Sequence, residues 1–389
     1  MHLLWYDLFF HLRQCNFVNK ETPMIAGFIV FFVLVILSFS IMNWFFYTRL
    51  VNGLTLDPNS RKIVFWTMLI LSLAFFLGQL MMRLLHFRLQ LLIGSIWLGI
   101  LAMGVSVFFL EWLFSALYPQ GRRTFTIIAL LILFAATVFS LHRGTGLPQV
   151  REMNLTMPSL PLEHSPFVIV QLSDLHLGYL VSLARLERIV EKCNELGADI
   201  VVITGDLVDG DPERLIDFSS VLSGLHSRHG VFLVTGNHEF YSGIERVAAM
   251  AEQAGITLLR NERRIVAGAV ELIGLDDDSG RRMSGAGPAG EKLFREETPG
   301  LPRILLYHRP QSFNRHAAWG VDLQLSGHTH AGQLPPLDLF VFLTFKYHYG
   351  LFEKNDSRIY TSSGTGTWGP PMRLFSSNEI ARFILKSGN

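Results

Sequence analysis

Four long apolar runs before residue 142 decide what this chain can fold into. They read MIAGFIVFFVLVILSFSIMNWFFY, IVFWTMLILSLAFFLGQLMM, LLIGSIWLGILAMGVSVFFL and TFTIIALLILFAATVFSL. Each supplies roughly the twenty residues that a helix needs to cross a hydrocarbon core of about 30 Å. Buried helices of a soluble domain would need polar sequence to cover them, and the connecting loops are too short to provide it. Composition agrees, since 50% of the 389 residues are hydrophobic and the mean hydropathy is +0.33, too apolar for an ordinary soluble chain. The first run is long and a second follows soon after, which argues against a cleaved signal peptide. Residues 1–23 interleave aromatics and Leu with polar residues, and read either as an interfacial segment or as sequence upstream of a start at Met24. Small residues in the third run, GSIWLG and LAMGVS, predict close helix packing. The expectation is a multi-pass α-helical membrane domain of four transmembrane helices over residues 24–141.

Charge excludes some partners. The formal net charge is +1 and no long Lys/Arg block appears, so the electrostatic footprint of a nucleic-acid binder is missing. Cys15 and Cys193 lie in different regions and suggest neither a disulfide framework nor a thiolate metal site. Four spans put both ends of the domain on one side. Arg13, Lys20, Arg83, Arg88, Arg143 and Arg151 flank that side, against Arg49, Arg61, Lys62, Arg122 and Arg123 on the other. The small excess favours cytoplasmic termini, and with them a cytoplasmic catalytic domain, in the cell membrane. Span interiors hold no ionisable residue apart from Glu111 near an end, which disfavours transport.

Residues 142–166 are rich in Gly, Pro and Ser without apolar period, as a linker and edge strand would be. From Phe167 short β-branched runs alternate with helical ones, which predicts an α/β domain over 167–389. The strands FVIVQLSD, DIVVITGD, GVFLVTGN, RILLYH and VDLQLSGH each end in a polar, metal-competent residue. In open α/β sheets the site forms beyond the carboxyl ends of strands, so such residues converge even when distant in sequence. They are Asp174 and His176, Asp206 and Asp209, Asn237 and His238, His308, and His328 with His330. Each alone can be a capping residue, and the two histidines of GHTH can share one ion, serve two, or simply sit in a turn.

The ordered blocks DLH, GDLVD, GNHE, YH and GHTH resemble the signature of the calcineurin-like metallophosphoesterase superfamily. The resemblance covers roughly residues 150 to 386 and leaves the four-helix part outside. The tail SSGTGTWGPPMRLF is similar to the branch that includes membrane-associated phosphodiesterases and UDP-diacylglucosamine hydrolases. It implies a layered β-sandwich flanked by helices. It also implies that Asp174, His176, Asp206 and His330 hold one divalent metal, while Asp206, Asn237, His308 and His328 hold the second. One carboxylate shared by two cations balances charge and lets a hydroxide bridge both. The ligand set suits Mn, Fe, Co or Zn rather than Ca. The resemblance makes His238 the proton donor to the leaving group, with Asp209 orienting its ring. Arg309, beside His308, reads either as a bidentate grip on a substrate phosphate or as a partner in a surface salt bridge.

Two further stretches carry expectations. LDDDSG lacks the Gly and Glu positions of a calcium loop, so Asp276 to Asp278 read as a solvated turn. LDLFVFLTF, residues 337–345, reads either as a buried strand or as an apolar element that meets the bilayer beside the metal site. The whole predicts a membrane-anchored, dimetal-dependent hydrolase of a phosphodiester or pyrophosphate, with an amphiphilic, lipid-linked substrate. The alternatives are a catalytically idle metal-binding sensor or scaffold, and a regulatory domain on a four-helix transporter.

Overall fold

A computed structural model describes residues 22–85, 88–210, 215–280, 290–295 and 300–388. Cys15 and nearly all of the N-terminal segment read as interfacial lie outside the described residues. The chain divides into two compact units. One is the N-terminal part through Thr145 together with Leu334–Asp338 and Gly369–Phe375; the other comprises Gly146–Gln333, Leu339–Trp368 and Ser376–Asn389.

The first unit is built on α1 (Thr22–Gly53), α2 (Pro58–Leu85), α3 (Arg88–Leu117) and α4 (Arg122–Thr145). All four are long and apolar enough to cross a membrane. Helix α3 is the central one, burying Leu91, Trp97, Leu101, Met103 and Phe108. The small residues predicted to bring helices close do so. A Cβ on Gly94 would lie 2.3 Å from the Phe75 Cα, so only glycine lets these two backbones touch. Glu111 is buried and is neutralised by Arg49, whose Nε and Nη2 lie 2.8 and 2.7 Å from its carboxylate. Ser115 and Thr126 donate to the other oxygen at 2.8 and 3.1 Å. Both oxygens of this buried charge thus meet donors, as the high cost of an unpaired charge in hydrocarbon requires. Leu334 and Met372 join the helical core beside Trp97 and Leu101.

The second unit is a four-layer α/β/β/α sandwich. Its strands are β1 (Gln149–Met157), β2 (Phe167–Leu172), β3 (Ile200–Thr204), β4 (Val231–Val234), β5 (Thr257–Leu258), β6 (Glu262–Val266), β7 (Val270–Gly274), β8 (Arg303–Leu306), β9 (Leu323–Ser326), β10 (Gly350–Lys354), β11 (Ser357–Thr361) and β12 (Glu379–Ser387). One sheet runs β1-β12-β2-β3-β4-β5 and the other β10-β11-β9-β8-β7-β6. Strands β2, β3 and β4 are parallel neighbours in the first, as are β7, β8 and β9 in the second. Period-two alternation assigns each face. Along β2, Phe167 and Ile169 enter the layer between the sheets with Phe232, Leu272 and Leu306, while Val168, Val170 and Leu172 enter the opposite layer. That layer is covered by α5 (Leu183–Asn194), α6 (Leu215–Leu222) and, beyond the short α7 (Asn237–Ser242), α8 (Ile244–Gln253) through Leu186, Phe218 and Met250. Burial on both faces explains why these strands read as continuous apolar runs rather than alternating ones. Two short helices complete the unit, α9 (Gly290–Arg295) and α10 (Phe313–Ala318), together with α11 (Leu337–Thr344) from Leu339 onwards.

Candidate metal centre

Five strand ends deliver the polar residues. Ser173, Asp174 and His176 follow β2; Asp206 and Asp209 follow β3; Asn237, His238 and Glu239 open α7 after β4; His308 and Arg309 follow β8; His328 and His330 follow β9. Asp174, His176, Asp206, His328 and His330 all have φ between 47° and 74°. Left-handed backbone at a non-glycine residue costs of order 1–3 kcal/mol and persists where the surroundings over-determine it, as at functional sites. Glycines let the carboxylates close in. A Cβ on Gly236 would lie 2.2 Å from Asp206 Oδ1, and one on Gly327 would lie 2.2 Å from Asp174 Oδ2.

Asp206 lies at the centre. Its Oδ1 accepts the His238 backbone N–H at 2.9 Å, which leaves Oδ2 to face the imidazoles. That oxygen is 3.1 Å from His308 Nε2 and 3.9 Å from both His176 Nε2 and His238 Nε2. On one side His176 Nε2 and His330 Nε2 are 3.1 Å apart, with Asp174 Oδ1 at 3.4 Å from His330 Nε2. On the other, His328 Nδ1 lies 3.3 Å from His308 Nε2. Asp174, His176 and His330 form one group able to hold a metal ion; Asp206, His308 and His328 form another. The buried Asn237 Oδ1 has no hydrogen-bond partner, the state expected of an amide oxygen reserved for a cation. Ring nitrogens facing one another at hydrogen-bond distance, with a buried, orphaned amide oxygen on the residue that opens α7, fit a divalent dimetal site.

The surrounding shell fixes ligand orientation. His308 Nδ1 faces the Thr204 carbonyl at 2.8 Å, so it donates there and presents Nε2 to the site. Asp174 accepts from Ser173 Oγ at 2.5 Å and from the His328 N–H at 3.0 Å. The fully buried Glu239 accepts backbone N–H groups of Gly236, Asp206 and Leu207 at 2.5, 2.9 and 2.8 Å, clamping the loop that carries Asp206.

Burial, reinforced by neighbouring cationic histidines, pushes His176 and His328 down to about 3, so both are neutral imidazoles with lone pairs free at pH 7. Burial raises Asp174 to about 6. Burial works the same way on Asp206, but His308 and His238 outweigh it and hold that carboxyl well below its usual range. Burial disfavours charge on His308 too, yet the Asp206 carboxylate wins and lifts it to about 10. His238 is raised as well, the Asp206 and Asp209 carboxylates together outweighing burial. Its Nδ1 sits 3.2 Å from Asp209 Oδ1, which turns Nε2 towards the site.

Arg309 is in a salt bridge, the second of its two readings, though with a buried partner rather than a surface one. Its Nε and Nη2 contact Asp277 at 2.6 and 3.3 Å, and only Nη1 turns towards the site, 3.4 Å from His328 Nε2. The bidentate edge of the guanidinium is already taken up by Asp277, and the two N–H groups of Nη1 remain. Correspondingly, Asp276 to Asp278 are not a solvated turn. Asp277 is fully buried, Asp276 is paired with Arg260 at 2.9 Å, and Asp278 accepts from the Tyr307 hydroxyl at 2.8 Å. Glu239, Asp277 and Trp368 escaped the sequence reading. Trp368 lies edge-on to His238 with ring centroids 6.4 Å apart, and Gln333 pins its backbone N–H and carbonyl at 3.0 and 2.9 Å. The final E of GNHE was the available signal for Glu239, whereas the partners of Asp277 are too distant in sequence to read.

The run LDLFVFLTF forms helix α11 and is not a buried strand. It buries no residue, and Leu339, Phe340, Phe342 and Leu343 are 59, 62, 59 and 73% exposed. Immediately beyond it, the Phe345 ring packs edge-on against His328 at 5.8 Å.

Comparison with known proteins agrees with this geometry. Residues 167–332 match the calcineurin-like phosphoesterase family. An uncharacterized metallophosphoesterase of Campylobacter jejuni is 31% identical over 379 residues, 92% of this chain and 99% of that one. A Helicobacter pylori metallophosphoesterase is 36% identical over 64% of this chain and 66% of its own length. A Danio rerio transmembrane protein with a metallophosphoesterase domain is 35% identical over 67% of this chain and 62% of its own. The strand-end ligand groups, the sandwich and these relatives place the chain in the calcineurin-like phosphoesterase family.

Proposed function

We propose that the chain is a membrane-anchored phosphoester hydrolase that uses two divalent cations on a phosphodiester or pyrophosphate. The carrying observation is Asp206, whose Oδ2 borders both ligand groups. Asp174, His176, Asp206 and His330 would hold one cation, and Asp206, Asn237, His308 and His328 the other. Together the ions supply an acidified nucleophile and neutralise charge on the phosphoryl oxygens. His238 gives the proton to the leaving oxygen from Nε2, and Asp209 fixes the ring by accepting from Nδ1. Against burial, the Asp206 and Asp209 carboxylates raise His238 and so favour the protonated ring that this task needs. The Nη1 of Arg309 is the remaining donor for a phosphate oxygen beside His328. Metal-stripped protein reloaded with Mn, Fe, Co or Zn should regain hydrolysis of a nitrophenyl phosphodiester at two ions per chain. Full activity with one ion would overturn the shared-carboxylate reading.

The substrate is an amphiphile whose phosphate lies at headgroup level. Four exposed apolar side chains on α11, each worth about 1.5–3 kcal/mol when taken from water, precede the ring that touches His328. Exposure of that kind beside a site suits an interface with acyl chains. The first two residues of α11 group with the membrane helices. Four candidate spans and the small excess of basic residues on the side of the termini support a hydrolase on the cytoplasmic face.

A further inference from the structure

Helices α1 and α2 part along one side and leave a groove of about 640 Å³. Two helical stripes line it. Ile36, Phe39 and Trp44 recur along α1; Phe65, Leu69 and Phe76 recur along α2. The few polar groups at its floor are occupied with one another. Asn43 donates to the Phe39 carbonyl at 2.9 Å, Ser72 Oγ donates to Asn43 Oδ1 at 2.9 Å, and Trp97 Nε1 donates to Ser72 Oγ at 3.0 Å. Ser40 and Tyr47 aside, what remains facing the groove is apolar, and it lies within the stretches Val33–Gly53 and Pro58–Gly78 that are fit to cross a membrane.

Length and charge select the occupant. From Phe65 to Phe76 the α2 stripe rises about 17 Å at 1.5 Å per residue, close to half of a ~30 Å hydrocarbon core. A transmembrane helix from a second copy would use the full thickness; the tails of one lipid use one leaflet. Extending the α2 stripe back by one turn reaches Arg61 and Lys62, both exposed, four and three residues before Phe65. Tyr47 closes the same end, its hydroxyl 3.4 Å from the Arg61 carbonyl and its ring 6.1 Å from Phe65. The nearby Asp57 is engaged in capping, accepting from Asn59 N and Ser60 N at 2.9 and 3.2 Å and from Ser60 Oγ at 2.5 Å. Aromatic side chains with cations just beyond them are what a phospholipid meets at the boundary between acyl chains and headgroups.

We infer that the α1–α2 groove is a binding site for one anionic phospholipid, with an acyl chain along the Phe65-to-Phe76 stripe and the phosphate at Arg61 and Lys62. The site is separate from the metal centre and does not depend on the hydrolytic reading.

The test uses the full chain in nanodiscs of phosphatidylethanolamine and phosphatidylglycerol, doped with phosphatidylglycerol that carries a photoreactive diazirine on its acyl chain. Labelled peptides spanning 36–47 and 65–76 should exceed several-fold those from the outward face of α4, where Leu131 and Phe134 are 63 and 70% exposed. Ser40 is an exposed lining residue, and Ser40→Phe should fill the groove and bring labelling down to the α4 level. Arg61→Gln with Lys62→Gln leaves the groove intact; it should lower labelling by the phosphatidylglycerol probe several-fold and that by a zwitterionic phosphatidylcholine probe less. Equal labelling of α4 and the groove in the unaltered chain would reduce the site to ordinary surrounding lipid and overturn the inference. So would unchanged labelling in Ser40→Phe, or chain-to-chain crosslinks in place of lipid adducts.

Discussion

Asp206 Oδ2 and His308 Nε2 lie 3.1 Å apart, both fully shielded from water, and each stabilises the other's charge. Burial alone would empty His308 of its proton, but the carboxylate holds it on to about 10. A cation needs that same nitrogen lone pair, so binding must release the proton. Below pH 10 the proton competes, and affinity should therefore rise with pH, by about tenfold per unit for each proton displaced. Calorimetric titration in buffers of different ionisation enthalpy measures the release directly. An affinity flat between neutral and mildly alkaline pH would mean that His308 is not a ligand.

Asp206→Asn tests the shared carboxylate. The amide keeps the shape but brings no charge to offset two cations, and it presents one oxygen where two are used. Hydrolysis should be abolished, and metal content should fall at both positions rather than one. Retention of two ions with full activity would assign the bridge elsewhere.

His238→Asn separates metal binding from proton donation. The ring is held by Asp209 and by its own backbone N–H on Asp206, so its loss leaves both ligand groups in place. Two ions should still bind while the rate falls by roughly a hundred- to ten-thousand-fold for an alkoxide leaving group. The deficit should shrink for nitrophenolate, which leaves without a proton. Equal losses for the two would point to substrate positioning.

Asp209→Asn should move the pH profile. Asp209 raises His238 by accepting from Nδ1 and by its charge. Removing that charge lowers the folded-state pKa of His238, so the acid form is lost sooner as pH rises. The alkaline limb of kcat for a poor leaving group should shift to lower pH, with metal content unchanged. An unshifted limb would show that another group titrates there.

What the sequence reveals here follows from locality. Strand-terminal residues such as Asp174 and His328 are legible because each sits one or two positions past a strongly apolar run, and sheet geometry brings such ends together without knowledge of the packing. The glycine-enabled contact of Gly94 on Phe75 was legible for a similar reason, small residues on one stretch of helix. Asp277 was not, because its burial depends on Arg309, thirty-two residues away. Nor was the placing of Leu334 and Met372 in the helical core, since loops reveal no destination. The run at 337–345 offered nine apolar-rich positions, too few for periodicity to separate a strand from a helix.

That same run gives the sharpest test of substrate class. Phe340 and Phe342 stand 62 and 59% exposed on α11, and replacing both with Ser removes one ring contact, Phe342 edge-on to the half-buried His348 at 5.1 Å, so thermal stability should fall little. A small soluble phosphodiester touches only the metal centre, and its kcat/KM should hold. An amphiphile presented in micelles or vesicles relies on apolar contact to bring its phosphate within reach, so its KM should rise severalfold while kcat is kept, the signature of lost uniform binding. The Phe345 ring on His328 is untouched by the substitution, which separates interface contact from disturbance of the site. Equal losses on both substrates would show that α11 supports the metal centre itself, and the amphiphile reading would fall while the dimetal hydrolase stood.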